Sequence, residues 1–173
     1  MYKELGEVQS LSTGVNDLKK SLTNIKTRGT WGEIALGNII EDMLSPEQYA
    51  ENIITKKGSK DRVEFAIKLP GREDNNKIVY LPIDAKFPQE DYQRLLDAEE
   101  EGNKEKIDES IKQLEKRIKS EAADLYNKYL GPPNTTDFGI IFLPTESLFA
   151  EVLRILGLLE TLQLLDRLHY QLY

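Results

Sequence analysis

The fold of this chain is decided by the stretch IVYLPIDAKFP, residues 78–88. Its side chains alternate, and in a strand successive residues point to opposite faces of the sheet. One face receives the apolar residues Val79, Leu81, Ile83 and Ala85. The other face receives Tyr80, Pro82, Asp84 and Lys86. We expect the first face to be core and the second to present an exposed acid beside an exposed base.

A second alternating run, RVEFAIKL at residues 62–69, precedes this stretch, and the turn-forming sequence PGREDNNK lies between them. Folding the two runs as a hairpin puts Glu64 almost opposite Asp84 on the same face. Like charges across a ladder are destabilising, so the pair needs a cation, either Lys86 or a bound metal. Such a group could hold a hard divalent cation and a water molecule.

A third carboxylate, Glu33, lies in the first turn of a helix predicted over residues 31–44. We expect the sequence TRGT, residues 27–30, to break the chain's first helix before this one begins. Helical spacing gives Glu33 three neighbours on one inward face, namely Leu36, Gly37 and Ile40. An inward carboxylate needs a partner. The alternative is a glutamate that interacts only with the dipole of the first helical turn.

The remaining patterns predict an α/β protein with a mixed sheet. They indicate a strand over residues 49–55, helices over 90–101 and 104–130, a strand over 138–143 and a helix from Thr145 to about 156. The strand over 138–143 is wholly apolar, so we expect it to be covered on both faces. Thr145 is the expected cap of the helix that follows.

Both ends of the chain carry helical seams. In residues 5–25 apolar side chains recur at heptad spacing, at Val8, Leu11, Val15, Leu18, Leu22 and Ile25. The tail has a leucine face made of Leu158, Leu162, Leu165, Leu168 and Leu172. The first segment is predicted to form a stub of coiled coil. Because little chain is left to cover either face, we expect self-association through this stub or through the tail.

Composition narrows the class of protein. The 173 residues contain no cysteine, which excludes disulfides and thiolate metal sites. No run approaches the roughly 18 apolar residues of a membrane span and no signal peptide is evident, so we expect a soluble, cytoplasmic protein. The net charge of −7 argues mildly against general nucleic-acid affinity.

Positive charge is nevertheless concentrated in one segment. Six basic residues, namely Lys56, Lys57, Lys60, Arg62, Lys68 and Arg72, stand there against Asp61 and Glu64. We expect this excess to surround the site. The alternative is that these lysines are ordinary solvated residues that protect the edge of a sheet.

Four segments together resemble the RmuC family, bacterial proteins described as DNA recombination or rearrangement-limiting proteins. They are TRGTWGE at 27–33, RVEFAIKLPG at 62–71, LPIDAKFP at 81–88 and FLPTE at 142–146. The resemblance covers roughly residues 5–160. It implies a restriction-endonuclease-like mixed sheet flanked by helices, of the PD-(D/E)XK nuclease class, after a coiled coil in a bacterial cytoplasmic protein.

The implied organisation is a coiled-coil stub over residues 1–26, a nuclease-like domain over 27–157 and a leucine-rich helical tail over 158–173. The family continues beyond the leucine-rich region with a further strand. The resemblance therefore implies that the tail is truncated.

The resemblance also implies a site. The nuclease class uses an acid on the first helix, an acid on the second strand and a D-x-K sequence on the third, and the matching residues are Glu33, Glu64, Asp84 and Lys86. Val63-Glu64 stands where the class has Pro-Asp. The three acids are the implied ligands of Mg²⁺ or Mn²⁺, with Lys86 positioning the attacking water. The expected DNA contacts are Arg28, Lys60, Arg62 and Lys68.

Three functions follow from these patterns. The first is a magnesium-dependent DNA endonuclease domain that hydrolyses phosphodiesters. The second is a catalytically inactive DNA-structure-binding or scaffold module of the same fold. The third, based on the helical seams alone, is a protein-interaction fragment with no role on DNA.

Overall fold

The computed structural model describes residues 25–71 and 77–168. Its elements are α1 (Ile25–Met43), β1 (Tyr49–Ile53), β2 (Val63–Pro70), β3 (Ile78–Ala85), α2 (Gln89–Glu100), α3 (Lys104–Tyr129), β4 (Ile140–Phe142), α4 (Glu146–Arg154) and α5 (Leu158–Leu168). The predicted class, a mixed sheet flanked by helices, is confirmed.

The sheet has four strands in the order β1-β2-β3-β4. The first three are antiparallel neighbours, whereas β4 lies parallel to β3. The predicted hairpin is confirmed, because β2 and β3 pair from Phe65 with Ile83 to Pro70 with Ile78. Extending this register by one residue past the Phe65–Ile83 pair places Glu64 beside Asp84.

Helices cover the two faces of this sheet differently. Under α1 lies a cluster of buried apolar side chains, namely Leu36, Ile40, Tyr49, Phe65 and Ile83. The C-terminal half of α3 covers the opposite face, where Leu125 and the carbonyl oxygen of Pro82 fill the space that a side chain at Gly139 would need. The Thr55 hydroxyl, which follows β1, also donates a 2.8 Å hydrogen bond to the carbonyl oxygen of Tyr129.

A second core joins the helices to one another. Its buried members are Leu95, Leu114, Ile118, Leu148, Val152, Ile155 and Leu158. Leu158 is fully buried and Leu162 packs against the cluster, so part of the predicted leucine face of the tail is covered within the chain. Thr145 is confirmed as a cap, because its hydroxyl accepts a hydrogen bond from the backbone N–H of Leu148.

Two structural expectations are wrong. The helix break at residues 27–30 does not occur, and α1 continues through them. That segment contains no proline, and a single glycine costs a helix only about 1 kcal/mol relative to alanine. The strand at 138–143 is not covered on both faces, because β4 is an edge strand and 40% of Ile140 is exposed.

The predicted stub of coiled coil lies almost entirely outside the described residues, as does Leu172 at the end of the tail. Self-association through either segment therefore stays a prediction. None of the helices in the described residues is long and apolar enough to cross a membrane.

Candidate active site

The site begins where the β2–β3 ladder ends. The last paired residues are Phe65 and Ile83, and beyond them the carboxylate of Glu64 takes over as a partner of β3. Its Oε2 atom accepts a hydrogen bond from the backbone N–H of Ala85 at 2.8 Å. On the other side of β3, Ala85 pairs with Phe142 of β4. A side chain thus replaces a backbone acceptor, and this fixes Glu64 beside the end of β3.

Asp84 is buried, with only 2% of its surface exposed, so the expectation of an exposed acid is wrong. The alternation along β3 is as predicted, but the C-terminal half of α3 covers the face that carries this carboxylate. Asp84 Oδ2 lies 2.9 Å from Lys86 Nζ, and the Lys86 side chain is 29% exposed. Lys86 is therefore placed to compensate these carboxylates, as one of the two alternatives from the sequence requires. A bound metal, the other alternative, stays a prediction.

A further residue, Glu121 on α3, was missed by the sequence analysis. Its Oε2 atom lies 3.9 Å from Lys86 Nζ, and its Oε1 atom lies 3.1 Å from Arg117 Nε. The spacing of Arg117 and Glu121 suggested only a pair on a solvated helix face. Nothing in that local pattern shows that the pair faces a lysine 35 positions earlier in the chain.

Burial and charge shift the protonation of these groups. Burial is the largest influence on Glu64 and raises its pKa from 4.5 to about 7. The hydrogen bond from Ala85 and the charge of Lys86 oppose this rise, while the charges of Asp84 and Glu33 add to it. Near neutral pH this carboxyl group is therefore only partly ionised, and a cation beside it would favour the ionised form.

Lys86 remains cationic in this setting. Burial alone would lower its pKa, but the hydrogen bond and charge of Asp84, followed by the charges of Glu121 and Glu64, leave the pKa above the usual value of 10.5. Nearby, burial is the main cause of the raised pKa of Tyr129, and the charge of Asp84 adds to it. The buried end of α3 therefore shares the electrostatic field of the site.

An open cleft of about 560 Å³ borders Glu64. It lies between α1 and the adjoining ends of β1 and β2, and Glu33 and Gly37 line its helical wall. Glu33 shares a face with buried neighbours as predicted, but its own side chain is exposed rather than directed inward. Since its charge acts on Glu64, the structure brings Glu33 to the same cleft without placing it in the buried pair.

The charge of the cleft is the reverse of the expected basic surround. Its ionisable lining consists of Glu33, Glu41, Glu51 and Glu64 against Arg62. Arg62 donates a hydrogen bond to the carbonyl oxygen of Asn52 at 2.6 Å, and Lys56 donates one to the carbonyl oxygen of Asn127 at 2.8 Å. These two basic side chains therefore brace the loop before β2.

The other expected DNA contacts are only partly described. Lys60 is exposed and Lys68 is half-buried. Arg28 belongs to α1, but its side chain lies outside the described part of the chain, as does all of Arg72. Contact of Arg28, Lys60, Arg62 and Lys68 with DNA stays a prediction.

In residues 25–71 and 77–168, no three acidic or histidine side chains form a group that could hold a metal ion. The compact set of three carboxylates implied by the resemblance is therefore not assembled there. Glu64 and Asp84 are still adjacent oxygen donors on neighbouring strands. Magnesium commonly binds one or two carboxylates and keeps several water molecules, so the oxygen donors of Glu64 and Asp84 suit such an ion.

Comparison with known proteins gives one consistent result. The model of the RmuC family matches residues 1–164. A DNA recombination protein RmuC homolog of Xylella fastidiosa is 50% identical over 163 residues, which cover 94% of this chain and 36% of that protein. Its counterpart in Chlamydia trachomatis is 34% identical over 161 residues, 89% of this chain and 34% of the relative.

No solved structure matches this chain. The chain spans about a third of the length of the curated relatives it matches. Since the family model covers nearly all of the sequence, this chain belongs to the RmuC family.

Proposed function

We propose that this chain is a magnesium-dependent DNA endonuclease domain that hydrolyses phosphodiester bonds. The observation that carries the proposal is the ion pair between buried Asp84 and partly exposed Lys86, beside half-buried Glu64. Burying charges costs desolvation energy, and well-packed apolar residues often serve stability equally well. A cluster of ionisable groups, of which Glu64 borders an open cleft, is therefore better explained by chemistry than by folding.

In this proposal Glu64 and Asp84 hold Mg²⁺, or Mn²⁺, and Glu33 completes or orients the arrangement. The bound cation would supply Lewis acidity and favour deprotonation of a water molecule. Lys86 donates hydrogen bonds to the attacking water and to the negative charge that develops on the phosphate. Asp84 keeps the Lys86 ammonium at that position, because their atoms lie 2.9 Å apart.

DNA is the proposed substrate because the named relatives are DNA recombination proteins and because the site suits phosphodiester chemistry. The acidic lining of the cleft would repel a bare phosphate backbone. A cation held by the carboxylates reduces that repulsion, so DNA engagement at the cleft should require the metal. The phosphates on either side would meet Lys60, Arg62, Lys68 and Arg28.

A DNA-structure-binding or scaffold module is the second candidate. Two observations favour it. Lys86 already neutralises Asp84, and no group of three metal ligands occurs in the described residues. In such a module the Asp84–Lys86 ion pair would hold fixed charges in place for DNA binding and would take no part in a reaction. The chain would bind DNA without turning it over.

The experiment is a cleavage assay on single-stranded, duplex and branched DNA with Mg²⁺, with Mn²⁺ and with a chelator. The unmodified chain should cut at least one form with either metal, and Asp84→Asn should lower the rate of cleavage by about 1000-fold. Glu115→Gln is the matched control, because Glu115 pairs with Lys119 on α3. DNA binding without metal-dependent cleavage of any form would support the second candidate instead.

A further inference from the structure

The Lys86 ammonium lies between two carboxylates that come from different elements. On β3, Asp84 Oδ2 is 2.9 Å away, and on α3, Glu121 Oε2 is 3.9 Å away. The first distance is that of a hydrogen-bonded ion pair, and the second is a looser ionic contact. Glu121 is itself held by Arg117, one helical turn earlier.

Glu121 differs from the other acids that form ion pairs along α3. Three such pairs occur at i,i+4 spacing in the described helix, and their acidic side chains are exposed to different extents: Glu121 by 15%, Glu115 by 30% and Asp124 by 50%. Glu121 is the most buried of the three and forms an ion pair with Lys86. The charge of Lys86 also acts on Asp124, which is more exposed. The position of Glu121 is therefore set by the sheet as well as by its own helix.

A second anchor matters because Asp84 has two competing roles in the proposed reaction. When its carboxylate binds a cation, its hold on Lys86 weakens, since the cation takes up the same negative charge. Lysine has a flexible four-carbon stem and a strongly hydrated head. With 29% of its side chain exposed, Lys86 has a route to solvent. Glu64 also acts on Lys86 but belongs to the proposed metal pair. Glu121 lies outside that pair and contacts the ammonium directly, so it can hold Lys86 when a cation occupies the site.

We propose that Glu121 is a positioning residue that retains the Lys86 ammonium at the site when Asp84 is engaged elsewhere. Its catalytic consequence rests on the proposed nuclease function, whereas the retention itself is a property of the folded chain. Arg117 sets the orientation of the Glu121 carboxylate, and Glu121 acts on the reaction only through Lys86.

The first test measures how fast Lys86 reacts with an amine-acetylating reagent, by mass spectrometry of the intact folded chain. Asp84→Asn removes the first anchor. We expect Lys86 to stay within about threefold of its original rate in that variant, and to react about tenfold faster in Asp84→Asn/Glu121→Gln. Asp84→Asn/Glu121→Asp should restore slow labelling, and Asp84→Asn/Glu115→Gln should match Asp84→Asn.

Exposed Lys60 serves as the internal reference for reagent strength, and circular dichroism reports whether each variant is folded. If Asp84→Asn does not fold, Asp84→Ser provides the same comparison. Equal labelling of Lys86 with and without Glu121 in the altered background would overturn the proposal.

The second test separates this proposal from the proposed function. In the cleavage assay Glu121→Gln should lower kcat about tenfold with KM changed less than about twofold, and Glu121→Asp should recover most of the loss. An unchanged kcat in Glu121→Gln, together with faster labelling of Lys86 in Asp84→Asn/Glu121→Gln, would show that retention of Lys86 has no role in catalysis. If the unmodified chain cuts no DNA, the proposed function fails, and the labelling result still decides whether Glu121 retains Lys86.

Discussion

The two faces of β3 are buried to similar depth but by different means. On one face Ile83, 6% exposed, lies in the apolar cluster under α1. On the other face Asp84, 2% exposed, lies in an ion pair under α3. Burial of Ile83 stabilises the fold directly, whereas burial of an ion pair contributes little or nothing net. This comparison supports our proposal, in which the apolar face serves folding and the ionic face serves the reaction.

The largest expected effect comes from removing the charge of Asp84. Asp84→Asn keeps the shape of the side chain but eliminates an oxygen anion that we assign to the metal and to Lys86. We expect the rate of metal-dependent DNA cleavage to fall by about 1000-fold. Single-turnover kinetics under saturating DNA would measure this.

The same variant should lose little stability, because Lys86 still has Glu121 beside it and is partly exposed. Urea unfolding should show a free-energy change well below that of a core truncation. If Asp84→Asn instead unfolded readily while its folded fraction still cleaved DNA, the ionic face would serve stability rather than function.

The apolar face should show the opposite behaviour. Ile83→Ala removes buried methyl and methylene groups from the cluster under α1, so we expect a loss of about 2–4 kcal/mol in the free energy of unfolding. Urea unfolding measures this loss, and the folded fraction should cleave DNA within about twofold of the unmodified rate. A tenfold drop in the activity of the folded protein would mean that the two faces are not separable.

A smaller effect concerns Glu64 and pH. The pKa of this group is raised from 4.5 to about 7, so between those values the folded state holds a proton that the unfolded chain releases. The contribution of Glu64 to the free energy of unfolding therefore falls as pH rises from about 4.5 to about 7 and does not change further above that.

Glu64→Gln removes this dependence and keeps an oxygen that accepts the hydrogen bond from Ala85. Relative to the original chain, we expect the variant to gain about 1–2 kcal/mol of stability between pH 4.5 and pH 8, after allowance for solvent screening of a partly exposed group. Urea titrations at both pH values measure it. Parallel stability curves for the two proteins would show that Glu64 does not titrate in this window.

The sequence predicted the hairpin and the pairing of Glu64 with Asp84, because a period of two and a turn between the runs define the register. It also predicted Lys86 beside Asp84, since both alternate on one face. It did not predict the burial of Asp84. Periodicity tells which side chains share a face, but only tertiary packing tells which helix covers that face.

Glu121 could not be predicted for the same reason. Its local pattern is that of an ordinary i,i+4 pair, and its contact with Lys86 depends on how α3 packs across the sheet. The expectation that the basic segment surrounds the site was wrong for the cleft, because a count of charged residues does not tell where their side chains point. Lys56 reaches the end of α3, and Arg62 binds the backbone of Asn52, so neither is simply a free positive charge facing the cleft.

The central claim is that the ionic face of β3 performs hydrolysis rather than simple DNA binding, and Lys86→Ala tests it most directly. The measurement compares kcat for metal-dependent cleavage with the Kd for DNA, using Lys119→Ala on α3 as the control. We expect kcat to fall about 100-fold while Kd changes less than about twofold. A loss of affinity in proportion to the loss of activity, with a salt dependence reduced by about one charge, would contradict the account and assign Lys86 to phosphate binding.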